Sequence, residues 1–296
     1  MTTMRYDVTL RIGYDYTSPT DRARNLLRVL PRDIPGVQVI GDWSLTLGPH
    51  PSEQRHFTDF FGNVVTSAVW HGRIDEVRIT LNVQAERLSV TPLLALATPL
   101  SRLSQELAVV RDISADSPLH FTAASRRAPL DRTMTAFARD RLAPGMSVLD
   151  AVRAIGTAIY EEMTYSSDAT HVDTEAAEAF AKRAGVCQDF SHIMIACLRG
   201  VGIPAAYVSG FLRTLPPPGK EKLVGVDAMH AWVRAWVGPE TGWIEFDPTN
   251  NQTAGTDYIT IGYGRDYDDV APVRGAMRGA GKQTSEQSVD VVVLDG

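Results

Sequence analysis

Cys187, His230 and Asp247 are the side chains of this 296-residue protein best suited, by type and order, to do chemistry together. Cys187 stands in Gly185-Val186-Cys187-Gln188-Asp189-Phe190, His230 in His230-Ala231-Trp232, and Asp247 in Phe246-Asp247-Pro248-Thr249. A thiol attacks an acyl carbon, an imidazole takes its proton, and a carboxylate orients the imidazole and stabilises its cation. Each residue alone has a blander role. A free cysteine is commonly a small buried hydrophobe, a lone histidine packs or faces water, and an Asp before Pro makes a turn. The order of the three and their neighbours favour the joint reading.

Such a trio needs rigid mounts. A helix is expected from about 187 to 199, opening at the thiol just after Gly185. A helix N-terminus favours the thiolate, and its first N–H groups face a developing oxyanion. The expected buried stripe is Phe190, Ile193, Met194 and Cys197, with Gly202 and Pro204 as the stop. Cys197 reads as a structural thiol. Ten residues of helix place it roughly 15 Å from Cys187, too far for a disulfide. His192, a turn and a half beyond the thiol, points away from it and reads as structural. Strands are expected at 205–212, 230–237 and 242–247, the last two joined by a Gly238–Gly242 turn. A hairpin of this kind brings Asp247 to the His230 end. From Glu240, His230 lies ten residues back and Asp247 seven on, so a bulge or an offset turn must absorb the difference. Gln188 is a candidate to shape the cleft or donate to a substrate. Trp232 is a cleft wall or a core residue, and Asp189 complements the helix dipole.

Upstream the pattern changes period. Tyr6, Val8, Leu10, Ile12, Tyr14 and Tyr16 alternate with polar residues, as in a strand with one buried face. Residues 37–47 and 74–90 repeat this, and Asp59-Phe60-Phe61-Gly62-Asn63 reads as the turn between strands 54–61 and 64–71. Residues 1–105 are thus an antiparallel, sandwich-like β domain. A connector with short helical pieces follows at 106–143, then a catalytic core at 144–265. The core starts with an amphipathic helix carrying Val148, Val152, Ile155, Ile159 and Met163. Thr174 is a candidate cap for a second helix ending at Lys182. Pro216 to Lys220 reads as a loop near the cleft. Residues 266–296 form a glycine-rich, mobile-looking tail with a final strand at Val289–Leu294. The fold class is α+β.

The core motifs, extended by Gly202-Ile203-Pro204-Ala205, Tyr207-Val208-Ser209-Gly210 and Asp247-Pro248-Thr249-Asn250, resemble the transglutaminase-like superfamily, in particular its bacterial branch of cysteine proteases and amidases. Tyr6 to Tyr16, Leu30-Pro31-Arg32, Trp43 to Pro49 and Asp59 to Asn63 are similar to the β-rich N-terminal region that accompanies this core in bacteria. The resemblance implies a papain-like core with the nucleophile on a helix and the base and carboxylate on a sheet. It makes Cys187 the nucleophile, His230 the base and Asp247 the orienting carboxylate. The implied reaction is thiol-dependent cleavage of a peptide or isopeptide bond through a thioester. Acyl transfer to an amine uses the same three residues and stays open, as does a non-catalytic scaffold role.

Composition narrows the partners. Apolar residues make up 44% and charged residues 22%, as in a globular protein with a proper core. A net charge of −6 disfavours nucleic acid and anionic membranes, which reward a basic surface. The first residues lack the apolar segment of a secretion signal, no stretch approaches a membrane span, and Cys187 as a free thiol suits a reducing compartment. The expectation is cytoplasmic. No zinc-type spacing is present. Asp266, Asp268 and Asp269 lack the spacing of a calcium loop and read as a solvated loop, so neither metal nor cofactor is expected.

Overall fold

Strict alternation dominates the first ninety residues, and it builds sheets. In the computed structural model, which describes residues 3–20, 22–89, 96–214, 227–278 and 282–294, six strands come first: β1 (Thr3–Thr20), β2 (Arg22–Leu27), β3 (Gln38–Gly48), β4 (Glu53–Thr58), β5 (Val64–Trp70) and β6 (Ile74–Leu88). A mainly helical stretch follows, with α1 (Leu103–Val109), α2 (Arg132–Arg139), α3 (Val148–Glu162), β7 (Thr164–Tyr165), α4 (Ala176–Lys182), β8 (Ala184–Gly185) and α5 (Cys187–Gly200). The chain ends in β9 (Ala205–Leu212), β10 (Ala228–Trp236), β11 (Trp243–Asp247), β12 (Gln252–Thr253), β13 (Tyr258–Gly264), α6 (Tyr267–Val270), β14 (Val273–Arg278) and β15 (Gln283–Leu294). The fold is α+β with mostly antiparallel sheets. Residues 216–220 lie outside the described residues.

Two four-stranded antiparallel sheets, ordered β15-β1-β6-β3 and β14-β2-β5-β4, face one another. Tyr6, Val8, Leu10 and Ile12 of β1 share one core with Ala23, Leu27, Ala68 and Trp70 of the other sheet. The stretch expected as a tail, 266–296, is therefore not loose in its described residues. β14 pairs with β2, and β15 pairs with β1 from Arg5↔Leu294 to Tyr16↔Gln283. The final strand begins six residues before Val289 because Gln283–Ser288 are polar, and their alternation carries no hydrophobic signal.

The third sheet, β12-β11-β10-β9-β13, carries the core. Its Phe211, Ile259 and Ile261 pack into the sandwich core, and two buried amides weld the units together. Gln38 donates through Nε2 to the Thr260 carbonyl and accepts from the Thr260 amide, both at 2.8 Å. Asn63 does the same with Tyr263, again at 2.8 Å. These bonds satisfy β13 where its register with β9 slips between Thr260 and Gly262. The turn at Asp59–Asn63 is thus a docking device as well as a hairpin turn.

On the opposite face of this sheet lies α5, enclosed by α2, α3 and α4. Every residue from Asp189 to Arg199 is buried, so the helix is buried all round rather than along the one expected stripe. Asp189, His192 and Arg199 among its polar members have internal partners, whereas the buried Ser191 hydroxyl has none among the described residues. Arg199, for example, donates to the carbonyls of Phe121, Ala205 and Arg265 and to the Ser125 hydroxyl. Thr174 does not cap α4. Its hydroxyl accepts from the His171 amide, and Glu175 holds the cap position with no side-chain bond.

Candidate active site

The thiol is the first residue of α5, as its sequence context requires. Val186 is extended, and Asp189 closes the first turn: its Oδ2 accepts from the Val186 amide at 2.9 Å and from Thr170 Oγ1 at 2.6 Å. Asp189 is buried against Gly185, where an added Cβ would fall 2.5 Å from Oδ2. Glycine at 185 is thus the condition for this cap. Gln188 donates through Nε2 to the Val172 carbonyl at 3.0 Å. Together Thr170 and Gln188 tie the loop at 166–175 to the start of the helix. Cys187 is half-buried, whereas Cys197 is fully buried and burial pushes its thiol up to about 12. Cys197 Sγ donates to the Met134 carbonyl.

His230 and Asp247 reach each other across β10 and β11. The register Trp236↔Trp243, Ala235↔Ile244, Arg234↔Glu245, Val233↔Phe246 runs without a bulge. Continued by one pair it sets Asp247 opposite Trp232, two residues short of His230. The offset expected from the residue count is therefore bridged by a diagonal side-chain pair, with His230 Nε2 donating to Asp247 Oδ2 at 2.7 Å. The Cys187 side chain lies near enough to the same imidazole to act on its protonation. Burial alone would push the imidazole pKa down. The hydrogen bond to Asp247 and the nearby Cys187, with their charges, outweigh it and raise His230 to about 10.

Asp247 is fully buried, yet it stays ionised. Burial pushes its pKa up, and the hydrogen bond and charge of His230, with Asn250 and Tyr258, bring it below the ordinary value. Oδ2 accepts from Asn250 Nδ2 and the Tyr258 hydroxyl, both at 2.7 Å, and Oδ1 from the Thr249 and Asn250 amides at 2.8 and 3.3 Å. The Tyr258 hydroxyl accepts from Gln252 Nε2 at 2.7 Å. The backbone bonds are an Asx turn, legible from Asp247-Pro248-Thr249-Asn250. Tyr258 has no local signal, because only the pairing of β13 with β9 and of β12 with β11 brings it near.

Trp232 belongs to the core. It is fully buried, stacks on His230 with centroids 6.2 Å apart, and donates to Glu245 Oε2 at 2.7 Å, so it presents no face to a substrate. Its ring lies over Gly210, where a Cβ would stand 2.4 Å from the indole. His192 lies in the core, its Nε2 accepting from the Tyr267 amide at 3.2 Å, and burial lowers it to about 4. The acidic cluster is not a solvated loop. Asp266 is buried and accepts from the Arg127 amide at 2.8 Å, Asp268 pairs with Arg127 and Arg126, and Asp269 pairs with Arg265. Among the described residues no three His, Cys, Asp or Glu side chains are grouped to hold a metal ion. No helix among them is long and apolar enough to cross a membrane.

The transglutaminase-like superfamily matches residues 135–248, and the bacterial transglutaminase-like N-terminal region matches residues 6–86. An uncharacterised Mycobacterium tuberculosis protein is 32% identical over 301 residues, covering 99% of this chain and 94% of that protein. Protein-glutamine gamma-glutamyltransferase of Pseudomonas aeruginosa is 42% identical over 71 residues, covering 24% of this chain and 10% of that protein. Among solved structures, a candidate cysteine protease from Cytophaga hutchinsonii superposes with a TM-score of 0.75 at 25% identity, over 100% of this chain and 92% of that one.

Proposed function

Because this chain belongs to the transglutaminase-like superfamily and carries its bacterial N-terminal region, we propose that it is a thiol-dependent amide hydrolase acting on a peptide or isopeptide bond through Cys187, His230 and Asp247. The observation that carries this reading is the chain of contacts from the thiol at the start of α5, through the imidazole, to a buried carboxylate 2.7 Å away.

With the proton held on His230, Cys187 Sγ attacks the amide carbonyl carbon as the thiolate. The C–O π electrons move to oxygen, and the first-turn amides of α5 stabilise that oxyanion. His230 gives its proton to the leaving nitrogen, the C–N bond breaks, and a thioester and a free amine result. His230 then takes a proton from water, whose oxygen attacks the thioester. The C–S bond breaks, the acid leaves, and the thiolate–imidazolium pair is restored. Asp247 holds the imidazole orientation and balances its charge throughout.

A second reading replaces water with an amine. The local identity to a protein-glutamine gamma-glutamyltransferase favours it. One set of measurements separates all readings. Iodoacetamide is expected to modify Cys187 far faster than Cys197, and Cys187→Ala to abolish amine release from a peptide-amide panel without loss of fold. Equal alkylation rates, or activity surviving in Cys187→Ala, overturn the thiol mechanism and leave a scaffold role. Product diverted mainly to an added alkylamine replaces hydrolysis with transfer.

A further inference from the structure

A cavity apart from the thiol and its partners lies between the first sheet and the outer edge of the core sheet. It measures about 350 Å³, and Val37, Arg87, Leu88, Trp243, Ala254 and Thr256 are among its lining residues. Arg87 is its unusual member. It is 4% exposed, and it has no carboxylate within ion-pair distance among the described residues. Its guanidinium makes two long bonds, both 3.3 Å, to Gln38 Oε1 and to the Gly255 carbonyl. Its Nε is buried with no acceptor among the described residues. A buried guanidinium with five N–H groups, two neutral acceptors and no counter-charge is costly to maintain. The cost falls when an anion enters.

The lining specifies which anion. A single guanidinium fork matches one carboxylate bidentately. Glu245 also lines the cavity, and its negative charge opposes a doubly charged phosphate. That carboxylate is itself held, by the Trp232 indole at Oε2 and the Tyr263 hydroxyl at Oε1, so it does not turn to neutralise Arg87. Val37, Leu88, Trp243 and Ala254 supply apolar wall for a short hydrocarbon body, and Thr256 a hydroxyl. We propose that this cavity binds a small monocarboxylate with an apolar side chain, its carboxylate on Arg87. The cavity shares no residue with the thiol, imidazole and carboxylate set, so the proposal stands independently of the amide-hydrolase reading.

The experiment compares two probes on the full chain by calorimetry. N-acetyl-leucine carries the carboxylate, and N-acetyl-leucinamide replaces it with a neutral amide of the same shape. The acid is expected to bind at least about tenfold more tightly than the amide, and equally well to Cys187→Ala. Arg87→Gln is expected to abolish the difference between the probes. Because Arg87→Gln removes a buried group and can fail to fold, Ala254→Leu serves as a second variant. It narrows the cavity from the opposite wall and is expected to weaken the acid while leaving the melting temperature near that of the parent. Equal affinity for acid and amide in the parent protein overturns the proposal. So does absence of acid binding up to about 10 mM, a concentration at which affinity falls below about 3 kcal/mol, or undiminished acid binding in a folded Arg87→Gln or Ala254→Leu.

Discussion

Asp247 has the most crowded hydrogen-bonding environment of the three proposed catalytic residues. His230, Tyr258, Asn250 and the Thr249 and Asn250 amides all donate to it. A carboxylate so surrounded stays ionised although fully buried, and its oxygens cannot rotate away from the imidazole. Tyr258 is thus a positioning residue, reaching the reaction only through Asp247. Removing its hydroxyl costs one charge-assisted hydrogen bond, about 1.5–3 kcal/mol at most. Tyr258→Phe is expected to lower kcat by about tenfold with KM unchanged, and steady-state kinetics check both. The raised His230 pKa gives a second expectation. A histidine whose pKa is about 10 when folded and near the ordinary 6.5 when unfolded contributes stability that is full below about pH 6.5. That contribution shrinks as pH rises and is gone above about 10. Between pH 7 and 10 the protein is therefore expected to lose more unfolding free energy than His230→Gln, measured by denaturant titration at each pH.

At the scale of elements, the site depends on where α5 begins. Asp189 fixes that point by bonding the Val186 amide and Thr170, and Gly185 leaves the room it needs. A methyl group at 185 overlaps the Asp189 carboxylate, so the cap, the loop at 166–175 or the helix start must move. Gly185→Ala is expected to destabilise the fold by about 1–3 kcal/mol and to reduce activity beyond what that loss of folded protein explains. Thermal melts and turnover per folded molecule measure the two effects. The other mount is the β10–β11 hairpin. Its regular register places Asp247 diagonally from His230, and the fully buried Trp232 backs the imidazole.

Across the whole molecule, the first and last described strands close on each other. β15 completes the first sheet beside β1, with Val289 and Val291 fully buried. It also touches the third sheet: the Val291 amide donates to Asp227 Oδ2, Asp227 Oδ1 accepts from Thr214, and Asp227 precedes His230 by three positions. Truncation after Arg278 is therefore expected to do more than trim a tail. It leaves β1 with an open edge, uncovers apolar core and frees one end of β10. The expected result is a largely insoluble product whose soluble fraction melts lower and turns over more slowly. A soluble, fully active truncation would show that β15 is dispensable.

Local sequence determined the helix that opens at Cys187, the strands of the candidate site and the alternating N-terminal region, because each rests on short-range periodicity and on residues next to one another. Gly185 before Cys187, and Asp247 before Pro248, carry their meaning within a few positions. The family resemblance of those motifs is borne out at residues 6–86 and 135–248. Tertiary structure decided what pairing across long separations controls. It brought Tyr258 onto Asp247, sent Trp232 into the core rather than the cleft, and paired Asp268 and Asp269 with arginines while burying Asp266. It also returned residues 283–294 to the sheet begun by residues 3–20. A side chain's periodicity states that it is buried; only the assembled sheets state against what.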